Sequence, residues 1–272
     1  MAEQNKVAIG HFNFAESTVF KAAARAAREL NVPIALGTSE SERDFMGVKQ
    51  AAALVKSMRE EGLEIFLNAD HTKSLEKIKE AIEAGYDAVL FDGSELPLEE
   101  NIKKTKEVVD WVKSANPNVL VEGEVGFIGS GSTVREVVPE GIQLTSVEDA
   151  VRFAKETGVD LLAPAVGNIH GIVKGGEPRL DIERISAIKQ AVKIPLVLHG
   201  ASGNTDEDLK AAIQAGISIV HINTEIRLAW RNALADFLAA NPKEVAPYKI
   251  LETAQKAARE VIYNKLKLFN IA

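Results

Sequence analysis

Residues 74–92, Ser-Leu-Glu-Lys-Ile-Lys-Glu-Ala-Ile-Glu-Ala-Gly-Tyr-Asp-Ala-Val-Leu-Phe-Asp, contain one complete structural repeat. Leu75, Ile78, Ala81 and Ile82 recur at the spacing of a single helix face, and Gly85 supplies the stop. The apolar run Ala88–Asp92 then has the length and composition of a buried strand. The same punctuation returns in Glu156-Thr157-Gly158-Val159-Asp160, ahead of another apolar run, so one unit is used again. Working outward, Val7–His11, Ile34–Thr38, Glu64–Asp70, Ala88–Asp92, Val119–Glu124, Leu161–Val166, Leu196–His199 and Ile217–Ile222 make eight strands. Helical segments such as Ser74–Ala84 and Leu98–Ser114 lie between them. Eight βα units without a break in composition predict an α/β fold, a closed (β/α)8 TIM barrel. An open doubly wound sheet would want a Gly-rich dinucleotide turn after the first strand, where this chain has His11-Phe12-Asn13-Phe14. Ala246–Leu268 is expected to form an additional C-terminal helix that packs between subunits.

A chain of 272 residues suits one barrel, so residues 1–272 are expected to form a single domain. Hydrophobic content of 46% and charged content of 26% are those of a soluble globular protein. The formal charge of −7 argues against nucleic-acid and membrane-surface partners, which want a basic face. Without cysteine there is no disulfide framework, thiolate nucleophile or Cys-based metal site. Met1–Lys6 is polar, and no apolar run reaches membrane-spanning length. The expected location is the cytoplasm.

The five histidines, His11, His71, His170, His199 and His221, all fall at or just beyond the C-terminal end of a strand. In a parallel barrel those ends share the face that carries the active site. A lone histidine at such a place is usually a satisfied polar residue; five on one rim point to a metal. Catalytic zinc takes three protein ligands and keeps an open position, so three of the five would suffice. Carboxylates crowd the same rim: Asp70 precedes His71, Asp92 ends the fourth strand, and Glu122 and Glu124 share a face of the fifth. Two carboxylates on one barrel face are costly to bury unless a cation or hydrogen bonds compensate. Small polar residues follow the seventh and eighth strands, in His199-Gly200-Ala201-Ser202-Gly203 and Asn223-Thr224. Loops there commonly cradle phosphate with backbone N–H groups, and Gly171 could add another.

At this point the chain resembles the class II, metal-dependent fructose-bisphosphate and tagatose-bisphosphate aldolase family. The resemblance runs from Gly10-His11-Phe12-Asn13 to about Asn223-Thr224-Glu225. It rests on Asn68-Ala69-Asp70-His71, Phe91-Asp92-Gly93-Ser94, Val121-Glu122-Gly123-Glu124-Val125-Gly126, Gly167-Asn168-Ile169-His170-Gly171 and Leu198-His199-Gly200-Ala201-Ser202-Gly203, in the family's order and spacing. It implies that His71, His170 and His199 hold one catalytic Zn2+ and that Asp70 is the acid/base at the hydroxyl carbon. It further implies that Glu124 and Asp92 can bind a second divalent or monovalent cation. Gly171, Gly200, Ala201, Ser202 and Thr224 would hold the phosphate of dihydroxyacetone phosphate, and Asn13 and Ser39 would touch substrate. The implied partner is a small phosphorylated sugar, and the implied assembly a homodimer or homotetramer. Fructose 1,6-bisphosphate leads as substrate, ahead of tagatose 1,6-bisphosphate or another dihydroxyacetone-phosphate-dependent reaction. A Schiff-base mechanism would need a buried barrel lysine, and the eight strands contain none.

The chain departs from the family's pattern at two places. The loop after the fifth strand reads Gly129-Ser130-Gly131-Ser132-Thr133, with Ser132 where an acid is usual and Glu136 or Glu140 as substitutes farther along. The eighth strand has Ile219-Val220-His221 where Lys-x-Asn is usual, so His221 should take the asparagine's place at the substrate, alongside Asn223. Activity should then fall as the His221 imidazole protonates. His11 also replaces a small residue. Two other classes remain to be weighed. A zinc hydrolase on the same barrel would commonly show His-x-His on the first strand, which His11-Phe12-Asn13 lacks; a non-catalytic zinc barrel would have no use for Asp70.

Overall fold

Parallel pairing carries the sheet round until its first and last strands meet. The computed structural model of the chain describes residues 6–129, 131–138, 140–175 and 179–270. Its strands are β1 (Ile9–Asn13), β2 (Ile34–Thr38), β3 (Ile65–Thr72), β4 (Ala88–Phe91), β5 (Leu120–Val125), β6 (Val134–Arg135), β7 (Leu161–Pro164), β8 (Ile172–Val173), β9 (Leu196–Leu198) and β10 (Ile217–His221). The closed barrel has the order β1-β10-β9-β7-β5-β4-β3-β2, and β6 and β8 form a separate two-stranded ribbon. That ribbon ties the loop after β5 to the loop after β7.

The eight principal strands are those expected from the sequence, with shifted ends. β1 runs on through Asn13 because Phe12 and Asn13 find partners in Leu36 and Gly37 of β2. β3 continues past Asp70 to Thr72, which pairs with Phe91. Helices α1 (Ser17–Leu30), α2 (Glu40–Met46), α3 (Val48–Glu60), α4 (Leu75–Ala84), α5 (Leu98–Ala115), α6 (Val147–Thr157), α7 (Ile182–Val192), α8 (Asp206–Ala215), α9 (Thr224–Ala240) and α10 (Pro247–Phe269) complete the fold. The repeat that opened the reading is α4: Ser74 caps it by accepting from Lys77 N–H, and Gly85 ends it in the left-handed region. Among the described residues no helix is long and apolar enough to cross a membrane.

The expected C-terminal helix is present, and one face of it is already in use. The apolar stripe of α10, with Ala254, Ala258, Ile262 and Leu266 buried, is used within its own chain. It packs along α1 and α9, and the Ala8 N–H donates to Phe269 O at 3.0 Å beneath the barrel. Helix α9, covered on one side by α10, buries only Thr224 and Ile226 and exposes Leu228 and Leu238.

His11 points into the barrel, and one neighbour makes room for it. A Cβ on Gly37 would stand 2.2 Å from His11 Cε1, so only glycine fits beside the ring. Gly37→Ala should therefore lower the unfolding free energy by about 1–3 kcal/mol, the usual cost of overpacking. Adding His11→Ala should recover part of the loss in urea melts; equal stability of Gly37→Ala and the parent would disprove the close fit.

Candidate active site

The pocket begins with an irregularity in β3. Its register against β4 shifts between Ala69 and Thr72, and His71 adopts φ +42°, in the left-handed region. A regular strand sends successive side chains to opposite faces; a bulge re-aims one of them. Asp70 and His71, adjacent in sequence, therefore both line one cavity of about 270 Å³ at the C-terminal mouth of the barrel. The strained backbone at a non-glycine residue costs on the order of 1–3 kcal/mol, which the surrounding packing must offset.

His170 and His199 reach the same cavity from the ends of two further barrel units. One ring nitrogen from each of His71, His170 and His199 lies within 4.8 Å of the other two. Two of the rings are oriented by carboxylates. His71 Nδ1 lies 2.9 Å from Asp92 Oδ2, and His199 Nε2 lies 2.6 Å from Glu122 Oε1. A carboxylate beside one ring nitrogen holds the N–H there and leaves a lone pair on the other. The lone pairs are then on His71 Nε2 and His199 Nδ1. Three converging imidazoles, two of them held this way and all open to one pocket, fit catalytic zinc.

The electrostatics agree with that fit. Asp70 Oδ1 and Glu124 Oε2 are buried without a hydrogen-bond partner. Burial pulls the His71 imidazole down, but Asp70, Asp92 and Glu124 outweigh it and hold the ring well above 6.5. His199 is likewise raised, because Glu122 overcomes the effect of burial. His170 has no such carboxylate at its ring; burial, with His71 and His199 beside it, lowers it to about 3. Burial and the neighbouring Asp92 push Glu124 up to about 7. Asp70 is held far below the usual carboxylate range: burial opposes ionisation, but His71, His11, His199 and the Asn13 amide prevail. Without a metal, the cavity collects protons on two of its three metal-type histidines.

The structure gives Asp92 more than one use. His71, Asp92 and Glu124 form a second group whose ligand atoms lie within 4.8 Å of one another. Asp92 also fixes His71, and its Oδ1 accepts from Ser94 N–H and Oγ–H at 3.2 and 2.7 Å. Glu122 was named in the sequence as a neighbour of Glu124 but left outside the site. It proves to be the partner of His199, and the alternation Glu122-Gly123-Glu124 was the clue.

His221 lines the pocket and His11 lies behind it. Their rings stack at 3.5 Å with 2° between planes, and His221 lies 4.0 Å from His199. Nitrogens of His11 and His221, with an Asp70 oxygen, also come within 4.8 Å of one another. A ring ligates in its own plane, along the nitrogen lone pair, so two parallel stacked rings cannot share an ion. His221 Nδ1 is 3.7 Å from Asp70 Oδ1, too far for a hydrogen bond. Burial, then His11, His199 and His71, hold the His221 imidazole well below 6.5. The ring therefore favours its neutral form, as expected, and its protonation belongs to acid pH.

Gly171, Gly200, Ser202, Asn223 and Thr224 line the opposite side, and Asn13 and Ser39 also reach the pocket. Gly200 has φ +57°, and a Cβ there would stand 2.2 Å from Ile169 O, so the turn requires glycine. Ser202 Oγ accepts from Asn223 N–H at 3.2 Å and Glu225 N–H at 3.4 Å, which docks this loop on the start of α9. Ala201 does not belong to the wall: it is fully buried, and its N–H donates to His221 O at 3.3 Å. In the loop after β5, Gly129, Gly131 and Ser132 line the pocket, whereas Ser130 lies outside the described residues. Neither Glu136 nor Glu140 is on the wall; Glu136 pairs with Lys174 at 2.6 Å on the surface. Glu95 is the additional acid that lines the cavity.

Because Asp70, Asp92 and Glu124 favour the protonated form of His71 in the metal-free protein, a metal competes with a proton at that ring. Calorimetry of zinc binding at pH 7.5, in buffers of different ionisation enthalpy, should show about one proton or more released per ion. Affinity should weaken as pH falls through neutrality, ahead of the ordinary imidazole range. Proton-neutral binding would contradict the charge state described for His71.

Comparisons with known proteins agree with this geometry. A family model described as "Fructose-bisphosphate aldolase class-II" matches residues 1–272. The chain is 35% identical to a fructose-bisphosphate aldolase of Geobacillus stearothermophilus, covering 98% of this chain and 93% of that one. It is 36% identical to a 6-phospho-5-dehydro-2-deoxy-D-gluconate aldolase of Shouchella clausii (strain KSM-K16), covering 100% and 92%. Among solved structures, the YdjI aldolase from Escherichia coli K12 matches with TM-score 0.84 at 30% identity, covering 99% of this chain and 94% of that one.

Proposed function

The chain belongs to the class II fructose-bisphosphate aldolase family, a family of lyases, and on that premise we propose that it cleaves fructose 1,6-bisphosphate reversibly to dihydroxyacetone phosphate and glyceraldehyde 3-phosphate. One observation carries the reading: three imidazole nitrogens converge beside a buried carboxylate whose Oδ1 has no partner, across one cavity from small-residue loops. His71, His170 and His199 are the proposed zinc ligands, with Glu124 and Asp92 for a second divalent or monovalent cation. When bound, zinc supplies a Lewis acid for the substrate's carbonyl oxygen. Asp70 takes the hydroxyl proton in cleavage and returns it in condensation. Gly171, Gly200, Ser202, Asn223 and Thr224 hold the phosphate, which fixes the reacting carbons in place. Ser39 contacts the substrate, and His221 presents its unpartnered Nε2 to the substrate oxygens.

A second substrate has one structural argument in its favour. The cationic side chains on the described wall, Lys73 and Arg227, are each already paired, with Glu95 at 3.3 Å and Glu42 at 2.5 Å. A substrate carrying one phosphate, as the name of the Shouchella clausii relative implies, would need neither of them. Family membership sets aside the hydrolase and the non-catalytic barrel. We further propose one catalytic domain over residues 1–272, a cytoplasmic location in keeping with the lack of cysteine, and a homodimer or homotetramer that covers the exposed side of α9.

Cleavage of both sugars should be measured before and after chelation and again with zinc restored. Activity should vanish and return, and the higher kcat/KM identifies the substrate. Replacing His71, His170 or His199 with Ala should lower metal content and turnover together; full occupancy in all three would sink the ligand assignment. Asp70→Ala should keep zinc and phosphate binding while losing turnover by on the order of 100-fold or more.

A further inference from the structure

We infer that Glu42 is a positioning residue for the proton-transfer step: acting through Asn13, it turns the Asp70 carboxylate so that Oδ1, rather than Oδ2, meets the substrate hydroxyl. This rests on the aldolase reading above. The Asn13 Nδ2 group donates to Asp70 Oδ2 at 2.8 Å and to Glu42 Oε2 at 2.9 Å. An amide NH2 has two hydrogens, and here each goes to a carboxylate. The amide cannot flip, because its oxygen would then face two acceptors. Asp70 Oδ2 is thereby tied, while Oδ1 is buried and has no hydrogen-bond partner. Oδ1 is the oxygen free to accept a proton.

Glu42 is itself held from three directions. Its Oε2 accepts from Ser39 N–H at 2.7 Å as well as from Asn13, and its Oε1 accepts from Arg227 at 2.5 Å. Its side chain is only 7% exposed. The blander role is helix capping, since Ser39-x-x-Glu42 opens α2 and Glu42 reaches back to the Ser39 N–H. Capping accounts for that bond. It requires neither a buried carboxylate, nor contact with Asn13 on β1, nor an arginine from α9. The chain Arg227–Glu42–Asn13–Asp70 crosses the barrel mouth and ends on the acid/base.

In cleavage the hydroxyl proton passes to Asp70 Oδ1 as the carbon–carbon bond breaks. The bond's electron pair stays with the dihydroxyacetone phosphate fragment. Asn13 and Glu42 exchange no proton; they fix the acceptor's direction. Without Glu42 the amide of Asn13 can rotate, and the Asp70 carboxylate with it. The Asn13 amide is then a brace with no hydrogen to spare for substrate.

The test compares Glu42→Gln, Asn13→Ala and the double variant in the zinc-loaded protein. The readouts are kcat and KM for cleavage, zinc content, and exchange of the carbon-bound proton of dihydroxyacetone phosphate with solvent. Exchange needs the metal and the phosphate pocket but no transfer at the hydroxyl. Glu42→Gln should lower kcat by about tenfold, part of the roughly 100-fold or more that a proton-transfer group supplies. KM, zinc content and the exchange rate should stay close to the parent's. In the Asn13→Ala background, Glu42→Gln should cost nothing further, because its route to Asp70 is already cut. Equal slowing of exchange and cleavage, an unchanged kcat, or a full penalty in the double variant would each overturn the inference. Should Glu42→Gln not fold, Arg227→Gln loosens the same carboxylate from the half-exposed side and is read by the same cycle. A parent protein that exchanges the proton yet cleaves no ketose phosphate would overturn the aldolase reading instead, and the inference with it.

Discussion

Of the carboxylates gathered at the mouth of this barrel, Asp70, Glu122 and Glu124 are at most 3% exposed. Carboxylates so placed cannot stay ionised without positive charge nearby, because the cost of leaving each unpaired is several kcal/mol. The rest of the site follows from that constraint. His71 and His199 are raised by their acidic neighbours, so the metal-free cavity binds protons where a dication would otherwise sit. Glu124, farther from compensation, retreats to about 7. Even the strained φ of His71 belongs here, since without the bulge Asp70 and His71 could not face the same cavity.

How much of this was legible in the sequence depends on the range of the interaction. The barrel was legible because each βα unit carries its own local pattern, and residues 74–92 show it in full. The histidines were legible because parallel strands bring their C-terminal ends to one rim, so position along each strand is enough. Contacts that cross the barrel were not. Glu122 and His199 are 77 residues apart, and no periodicity links them. Asn13 and Glu42 are 29 residues apart, and no local pattern singles out Glu42. Ala201 failed for a smaller reason: its motif placed it correctly, but its N–H is taken by the carbonyl of His221, which only the fold could show.

The unusual histidines find a structural explanation of their own. His11 and His221 sit on paired positions of β1 and β10, and Gly37 opens the space that lets their rings stack. Asn68 faces His11 Nε2 at 3.2 Å through its amide nitrogen, so that ring nitrogen accepts and the other carries the hydrogen. Burial, aided by His199 and His71 and opposed by Asp70, holds His11 at about 4, and His221 is lowered as well, so both rings favour the neutral form near neutrality. A neutral pair beside a cation site adds polar surface without adding repulsion. That is a reason for two histidines to occur together here: either alone would leave a gap against the other's face.

The pocket is polarised, and the polarity matches the reaction of its family. On the side of β3 to β5 the wall is acidic, with His71, Asp92 and Glu124 packed together. On the side of β7, β9 and β10 it consists of glycines, hydroxyls and the first turn of α9, which attract anions through backbone N–H groups. Under the proposed function a phosphate would be repelled by the first wall and attracted by the second, which favours one orientation of the substrate. Orientation comes from the charge asymmetry of the barrel mouth, and the brace from Arg227 through Glu42 and Asn13 sets the last angle, that of the carboxylate itself.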